Sequence, residues 1–223
     1  MPNGVGSRTV SPLLIDTAAS SLPSIAATIS APAGRAAPAR VAKADTASSS
    51  SGAATRLENR QLDLAIAYGL QPATGALGQE LELTYLLDDR YTAVIPRQHR
   101  LAGKGVIELS ELADDVWINT TERDLCHQII LSACRAAGFE PNVAFEVDEI
   151  ATSQALIARG SGVTLLPGLA LGSRHRDVVV ASLGDAAPVR SIYAARLSTR
   201  YPTPACEAMV TVLSGVARRA DSG

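Results

Sequence analysis

Apolar positions come in short dense runs, and their spacing alternates between a period near two and a period near 3.6. The run LDLAIAY at 62–68 is almost continuously apolar. It predicts a strand covered on both faces, as in a parallel sheet. Two more strands are predicted at 81–87 and 91–95, with a turn at Asp88-Asp89 between them and Pro96 as the stop. VIELSELA at 106–113 reads as a short strand and one helical turn, with Ser110 as candidate N-cap. VWIN at 116–119 predicts a strand. A helix to about Ala137 follows, capped by Thr120 or Thr121, with Glu122 in its first turn and Gly138 just past its end. Leu125, Ile129, Ala133 and Ala136 share one face of that helix.

The alternation continues with a strand at 142–147, a helix at 151–159 and a strand at 163–166. Strands at 178–183 and 190–197 follow, then a last helix at 203–220 opened by Pro204. The stretch ALIARGSGVTLLP at 155–167 is the sharpest reversal in the chain. Gly160 suits a positive φ that ends the helix, Gly162 suits a close turn into a buried strand, and Pro167 falls where the chain leaves the sheet. Strand–helix alternation of this kind predicts an α/β protein with helices on both faces of a parallel or mixed sheet.

The composition changes this picture before residue 60. Residues 31–56 are Ala, Pro, Ser and Gly, with Val41 as the only branched aliphatic. Such a segment buries little surface and reads as a linker or a loosely packed stretch. Elsewhere the chain is apolar enough for a sizeable core, with 47% hydrophobic residues in 223 and a mean hydropathy of +0.14.

Charge and cysteine usage exclude several classes. The net charge is −2, and a surface that grips nucleic acid shows a basic stripe. The clusters Arg174-His175-Arg176 and Arg218-Arg219 read as solvated charges. Cys126, Cys134 and Cys206 are an odd set without a CxxC pair. They point to a reduced, cytoplasmic protein without a disulfide framework or zinc site. The apolar run at 13–15 is too short for a signal peptide or a membrane span.

Catalytic constellations are weak. Cys126 and His127 are neighbours on a helix, so their side chains diverge and do not form a nucleophile–base pair. Asp114-Asp115 and Asp148-Glu149 read as solvated acids in turns. There is no HExxH and no phosphate-binding glycine loop. The residues predict no enzyme, no cofactor and no metal. Ligands of open α/β sheets bind beyond the carboxyl ends of strands. That rule makes Thr164 and Pro167 candidates at one strand end.

Five segments in order resemble the effector-binding domain of LysR-type transcriptional regulators. They are NRQLDLAIA at 59–67, YTAVIPRQHRLA at 91–102, ELSELADDVWI at 108–118, RAAGFEPNV at 135–143 and LIARGSGVTLLP at 156–167. The resemblance implies a two-lobed α/β fold of the type 2 periplasmic-binding-protein kind, with a ligand cleft between lobes joined by two crossing strands. Residues 1–95 and 189–223 would form the first lobe and 96–188 the second. Residues 13–30 would supply its first strand and helix, and 31–56 lie where the family has a further strand and helix. The family cleft is lined by helix N-termini and strand ends, which suits a small anionic effector.

Ser20 and Ser21 match the start of the family's first helix, and Asn119, Thr120 and Thr121 match the start of the second lobe's long helix. These five join Tyr68, Thr164 and Pro167 as candidate effector-binding residues. A homodimer is implied. DNA contact would require a winged helix-turn-helix that these residues do not spell out, and no membrane contact is expected. A stand-alone solute-binding protein is the alternative, disfavoured by the lack of a signal-like segment. The sequence also departs from the family at 99–102, where Arg100 follows His99 in place of the usual proline.

Overall fold

The computed structural model describes residues 27–28, 40–43, 55–69, 81–122, 124–198 and 202–221. Strand β1 is Ala27–Thr28, β2 Arg40–Lys43, β3 Leu64–Gly69 and β4 Leu81–Pro96. After a 3-10 turn at Leu109–Leu112 come β5 (Val116–Asn119), helix α1 (Leu125–Ala136), β6 (Asn142–Glu146), α2 (Ile150–Ala158) and β7 (Thr164–Pro167). Strands β8 (Val178–Ala181) and β9 (Val189–Leu197) lead to α3, Pro204–Asp221.

Strand β4 organises the molecule. It pairs antiparallel with β9 over residues 81–90, then changes partners: residues 91–94 pair with β7 and 93–96 with β8. The first sheet therefore runs β1-β2-β3-β9-β4 and the second is built on the far end of β4. A two-stranded parallel unit, β5 with β6, joins the second sheet through a bridge between Trp117 and Val163. Two lobes follow, crossed by β4 on the way out and entered again by β9 on the way back.

Each lobe has its own core. In the first, Leu57, Leu62, Ala65, Ala67 and Ala195 cluster together. On the other side of that sheet, Leu64, Ala194 and Cys206 pack with Met209, Val210 and Leu213 of α3. The second is larger and centres on Trp117, with Ile107, Leu112, Ile129, Ile130, Cys134 and Leu165 around it. Trp117 is fully buried, and its indole N–H donates to Leu112 O at 3.1 Å, which satisfies the one polar atom that burial would strand. Each such buried apolar side chain stabilises by roughly 1.5–3 kcal/mol.

Most predicted elements are present, and several readings are corrected. The 3-10 turn at Leu109–Leu112 is capped by Glu108, in a reciprocal box with Glu111, and Ser110 lies inside the turn. The turn at Asp88-Asp89 does not form, because β4 is one sixteen-residue strand there. Asp88 and Asp89 stand opposite Ser191 and Arg190 in the ladder, and these distant partners hold both aspartates extended. Helix α1 is not capped by Thr120 or Thr121, and Glu122 precedes it. Asp124 is its N-cap and accepts from Cys126 N at 2.8 Å. The buried face of α1 is His127, Ile129, Ile130 and Cys134, while Ala136 is exposed. Finally, residues 40–43 are not linker. They form β2, parallel to β3 with Val41 opposite Leu64.

Residues 27–28 are a strand antiparallel to β2, where the family resemblance implies a helix. The remaining expectations for 1–54, Ser20 and Ser21 among them, lie outside the described residues. Gly138 at φ 91° and Gly160 at φ 78° end α1 and α2 as predicted. The Asp114-Asp115 reading needs a smaller change, because Asp115 is paired: it accepts from His99 Nε2 and Arg100 Nη2, each at 3.0 Å.

Candidate functional site

The partner change in β4 places a charged cluster at the strand crossing. Asp89 and Arg190 are cross-strand neighbours, and their side chains are only 2% and 12% exposed. Arg190 grips one oxygen of Asp89 through Nε at 3.1 Å and Nη2 at 2.8 Å. The other Asp89 oxygen accepts from Leu169 N at 3.0 Å, in the 3-10 turn after β7. The guanidinium lies 4.6 Å from the ring centre of Tyr68 and 5.9 Å from that of Tyr91. Such stacking adds about 0.5–2 kcal/mol. Its Nη1 is 3.8 Å from Cys126 Sγ on α1, and the Tyr91 hydroxyl donates to the same sulfur at 3.2 Å.

This thiol is not a poised nucleophile. Burial pushes it above the usual thiol range, and the Tyr91 hydrogen bond and the Arg190 charge offset only part of that. Burial holds the Tyr91 phenol protonated as well, with the neighbouring sulfur adding to the effect.

A second feature sits where β5 ends. Asn119 is 2% exposed; its Oδ1 accepts from Thr120 N at 2.8 Å. Its amide nitrogen Nδ2 and the Thr120 hydroxyl oxygen are buried and have no hydrogen-bond partner among the described residues. Each orphaned polar atom in a folded core costs about 1–3 kcal/mol. The chain then reaches α1, whose first turn joins the two features. Cys126 touches the Arg190 cluster, and the next residue, His127, hydrogen-bonds through Nδ1 to Thr120 O at 2.8 Å.

The predicted residues divide clearly. Asn119 and Thr120 are at the β5 end, and Tyr68 is the ring beneath Arg190. Thr121 turns the other way: its N–H donates to Asp148 Oδ1 at 3.0 Å, and it lines an open groove of about 500 Å³ with Glu122, Glu146 and Asp148. Three carboxylates make that groove hostile to an anion. Thr164 and Pro167 are buried ladder residues of β7, opposite Val94 and Tyr91, and Pro167 ends the strand instead of following it. Asp89, Tyr91, Cys126 and Arg190 are not among the residues that the sequence marks as a site. Their links span 35 to 101 residues of sequence, which no local pattern encodes. Among the described residues no group of His, Cys, Asp and Glu could hold a metal ion, and no helix is long and apolar enough to cross a membrane.

Two α/β lobes on crossing strands define a fold of the type 2 periplasmic-binding-protein kind. The family model of the LysR substrate binding domain matches residues 45–218, and the chain belongs to that family. The transcriptional dual regulator GltC of Bacillus subtilis (strain 168) is 29% identical over 111 residues, 50% of this chain and 36% of that protein. The chain thus spans about a third of that relative's length. The C-terminal domain of a probable LysR family regulator from Rhodococcus sp. RHA1 is similar in structure, with a TM-score of 0.61, 26% identity, and coverage of 74% of this chain and 80% of that one. The effector-binding domain of QuiR, solved with shikimate, shares the fold at a TM-score of 0.61 and 22% identity, covering 75% and 78% of the two chains.

Proposed function

We propose that this chain is the effector-sensing domain of a LysR-type transcriptional regulator, and that its effector is a small carboxylate. The observation that carries the reading is the pair of orphaned donors, Asn119 Nδ2 and Thr120 Oγ1. A carboxylate has two acceptor oxygens and no donor, so it suits a site that offers unpaired donors. The N-terminal turn of α1 does not take the anion itself, because Asp124 already occupies it. The acidic groove of Glu122, Glu146 and Asp148 repels an anion. That a domain of this fold was solved with shikimate, a carboxylate, supports the choice of ligand class.

Sensing works through lobe position. Ligand donors on the second lobe favour whichever lobe arrangement closes on the bound molecule, and the population shifts accordingly. Solute capture for transport has no observation in its favour, since regulators are what the chain resembles in sequence. The test is a thermal-shift screen of the purified chain against small mono- and dicarboxylates, with shikimate and benzoate included and matched amides as controls. A carboxylate that raises Tm while its amide does not supports the reading. Equal shifts by acid and amide, or no shift across the set at millimolar concentration, contradict it.

A further inference from the structure

The crossing-strand cluster has a role separate from ligand contact. We infer that Asp89 and Arg190 form a latch that fixes the angle between the two lobes, acting as a positioning pair for the cleft. One carboxylate serves both lobes at once. Its one oxygen holds Arg190 on β9, and its other oxygen holds Leu169 N in the turn after β7. The pair sits at the residues where β4 leaves one sheet for the other, so rotation about that point must move these groups. Arg190 is braced in turn by Tyr68 of β3, by Tyr91 and by Cys126 of α1.

Two further facts favour geometry over stability as the purpose. A buried ion pair contributes little net stability, because desolvation offsets most of the attraction, whereas its directional bonds specify one arrangement. The turn is also shaped to reach the carboxylate. A Cβ at Gly168 would lie 3.3 Å from Asp89 Oδ1 and 3.5 Å from Arg90 O, so a side chain there crowds the approach of the turn to Asp89.

Three variants test the latch in the ligand-free, full 223-residue chain. Asp89→Asn keeps size and an acceptor for Leu169 N but removes the charge. Arg190→Lys keeps the charge without the two-pronged grip. Gly168→Ala crowds Asp89 Oδ1 from the turn while leaving both charges of the ion pair in place. Amide exchange and small-angle scattering are measured together. The latch predicts exchange about tenfold faster at Leu169 and 190–192 in Asp89→Asn and Gly168→Ala, with less change in Arg190→Lys. Exchange in α1 and β5 stays at the wild-type rate, and the scattering envelope broadens.

Unchanged exchange at Leu169 with a superimposable scattering curve overturns it. So does faster exchange spread evenly over both cores, the mark of a merely structural pair. The latch rests on the effector reading only for its purpose. No ligand enters the test, so a negative result leaves carboxylate binding standing, and a failed carboxylate screen leaves the latch standing.

Discussion

Gly162→Ala drives a methyl group against backbone in the second lobe. A Cβ at this position would stand 2.6 Å from Val116 O and 3.2 Å from Ile118 Cγ1. The first of these is backbone and cannot swing aside. Val116 O also accepts from Val163 N at 2.8 Å, and Ile118 N donates to Val163 O at 2.9 Å, so this seam ties β5 to the start of β7. Relieving the clash stretches both bonds, at about 0.5–1.5 kcal/mol each. Overpacking a filled interior adds about 1–3 kcal/mol. The sum is about 2–6 kcal/mol, or a fall in Tm of about 4–24 °C at the roughly 2–4 °C per kcal/mol expected for a chain of this size.

The protein carries its own reporter for this measurement. Trp117 is the single tryptophan and sits fully buried between the two residues the new methyl would strike. Its emission follows thermal and urea unfolding directly. Gly160→Ala is the matched control, since φ is 78° there but a Cβ would meet no atom within 4 Å beyond its chain neighbours. Its cost is backbone strain alone, about 1–2 kcal/mol. A Gly162→Ala variant that melts within a degree of wild type, or above Gly160→Ala, refutes the close-approach reasoning.

Thr120→Val removes an unpaired buried hydroxyl while keeping the shape. The ligand-free chain should gain about 1 kcal/mol and lose carboxylate-induced stabilisation; urea melts with and without ligand check this, and a destabilised variant that still responds contradicts it. Burial pushes the Cys134 thiol from about 9 up to about 12. The folded chain keeps that proton while the unfolded chain releases it, so stability falls as pH rises from about 9 toward 12. Urea midpoints at pH 8 and pH 10.5 show the fall in wild type, and Cys134→Ala should show less of it; identical pH slopes count against it. With a net charge of −2, this 223-residue chain should show no sequence-dependent duplex binding at physiological salt. Nanomolar, sequence-dependent binding overturns that expectation.

Local pattern encodes the elements whose boundaries depend on local chemistry. Gly138 and Gly160 mark helix ends because the αL conformation is a single-residue property, and Pro204 marks a helix start for a similar reason. Asp88-Asp89 read as a turn because isolated aspartates favour turns. Their ladder partners, Ser191 and Arg190, lie a hundred residues away and reverse that preference. The cap of α1 escapes the sequence for a comparable reason. Thr120, Thr121 and Asp124 are all competent caps; Asp124 takes the role by accepting from Cys126 N, while the Thr121 N–H is bound by Asp148 from outside the segment. At the site, Asn119, Thr120 and Tyr68 can be named from strand ends and the family resemblance. The latch cannot, because an arginine in VRSIYAARL carries no sign of its partner until the sheet is assembled.

Calorimetric titration of a stabilising carboxylate into wild type and into Asn119→Ala/Thr120→Val measures the central claim most directly. Both proteins must first show the same cooperative Trp117 unfolding. One site per chain, with affinity at least tenfold weaker in the double variant, is the predicted result; a tenfold loss corresponds to about 1.4 kcal/mol, within reach of two hydrogen bonds to a charged group. Equal affinity in the two proteins, or no heat from any carboxylate tested, contradicts the assignment of Asn119 and Thr120 as the effector's seat.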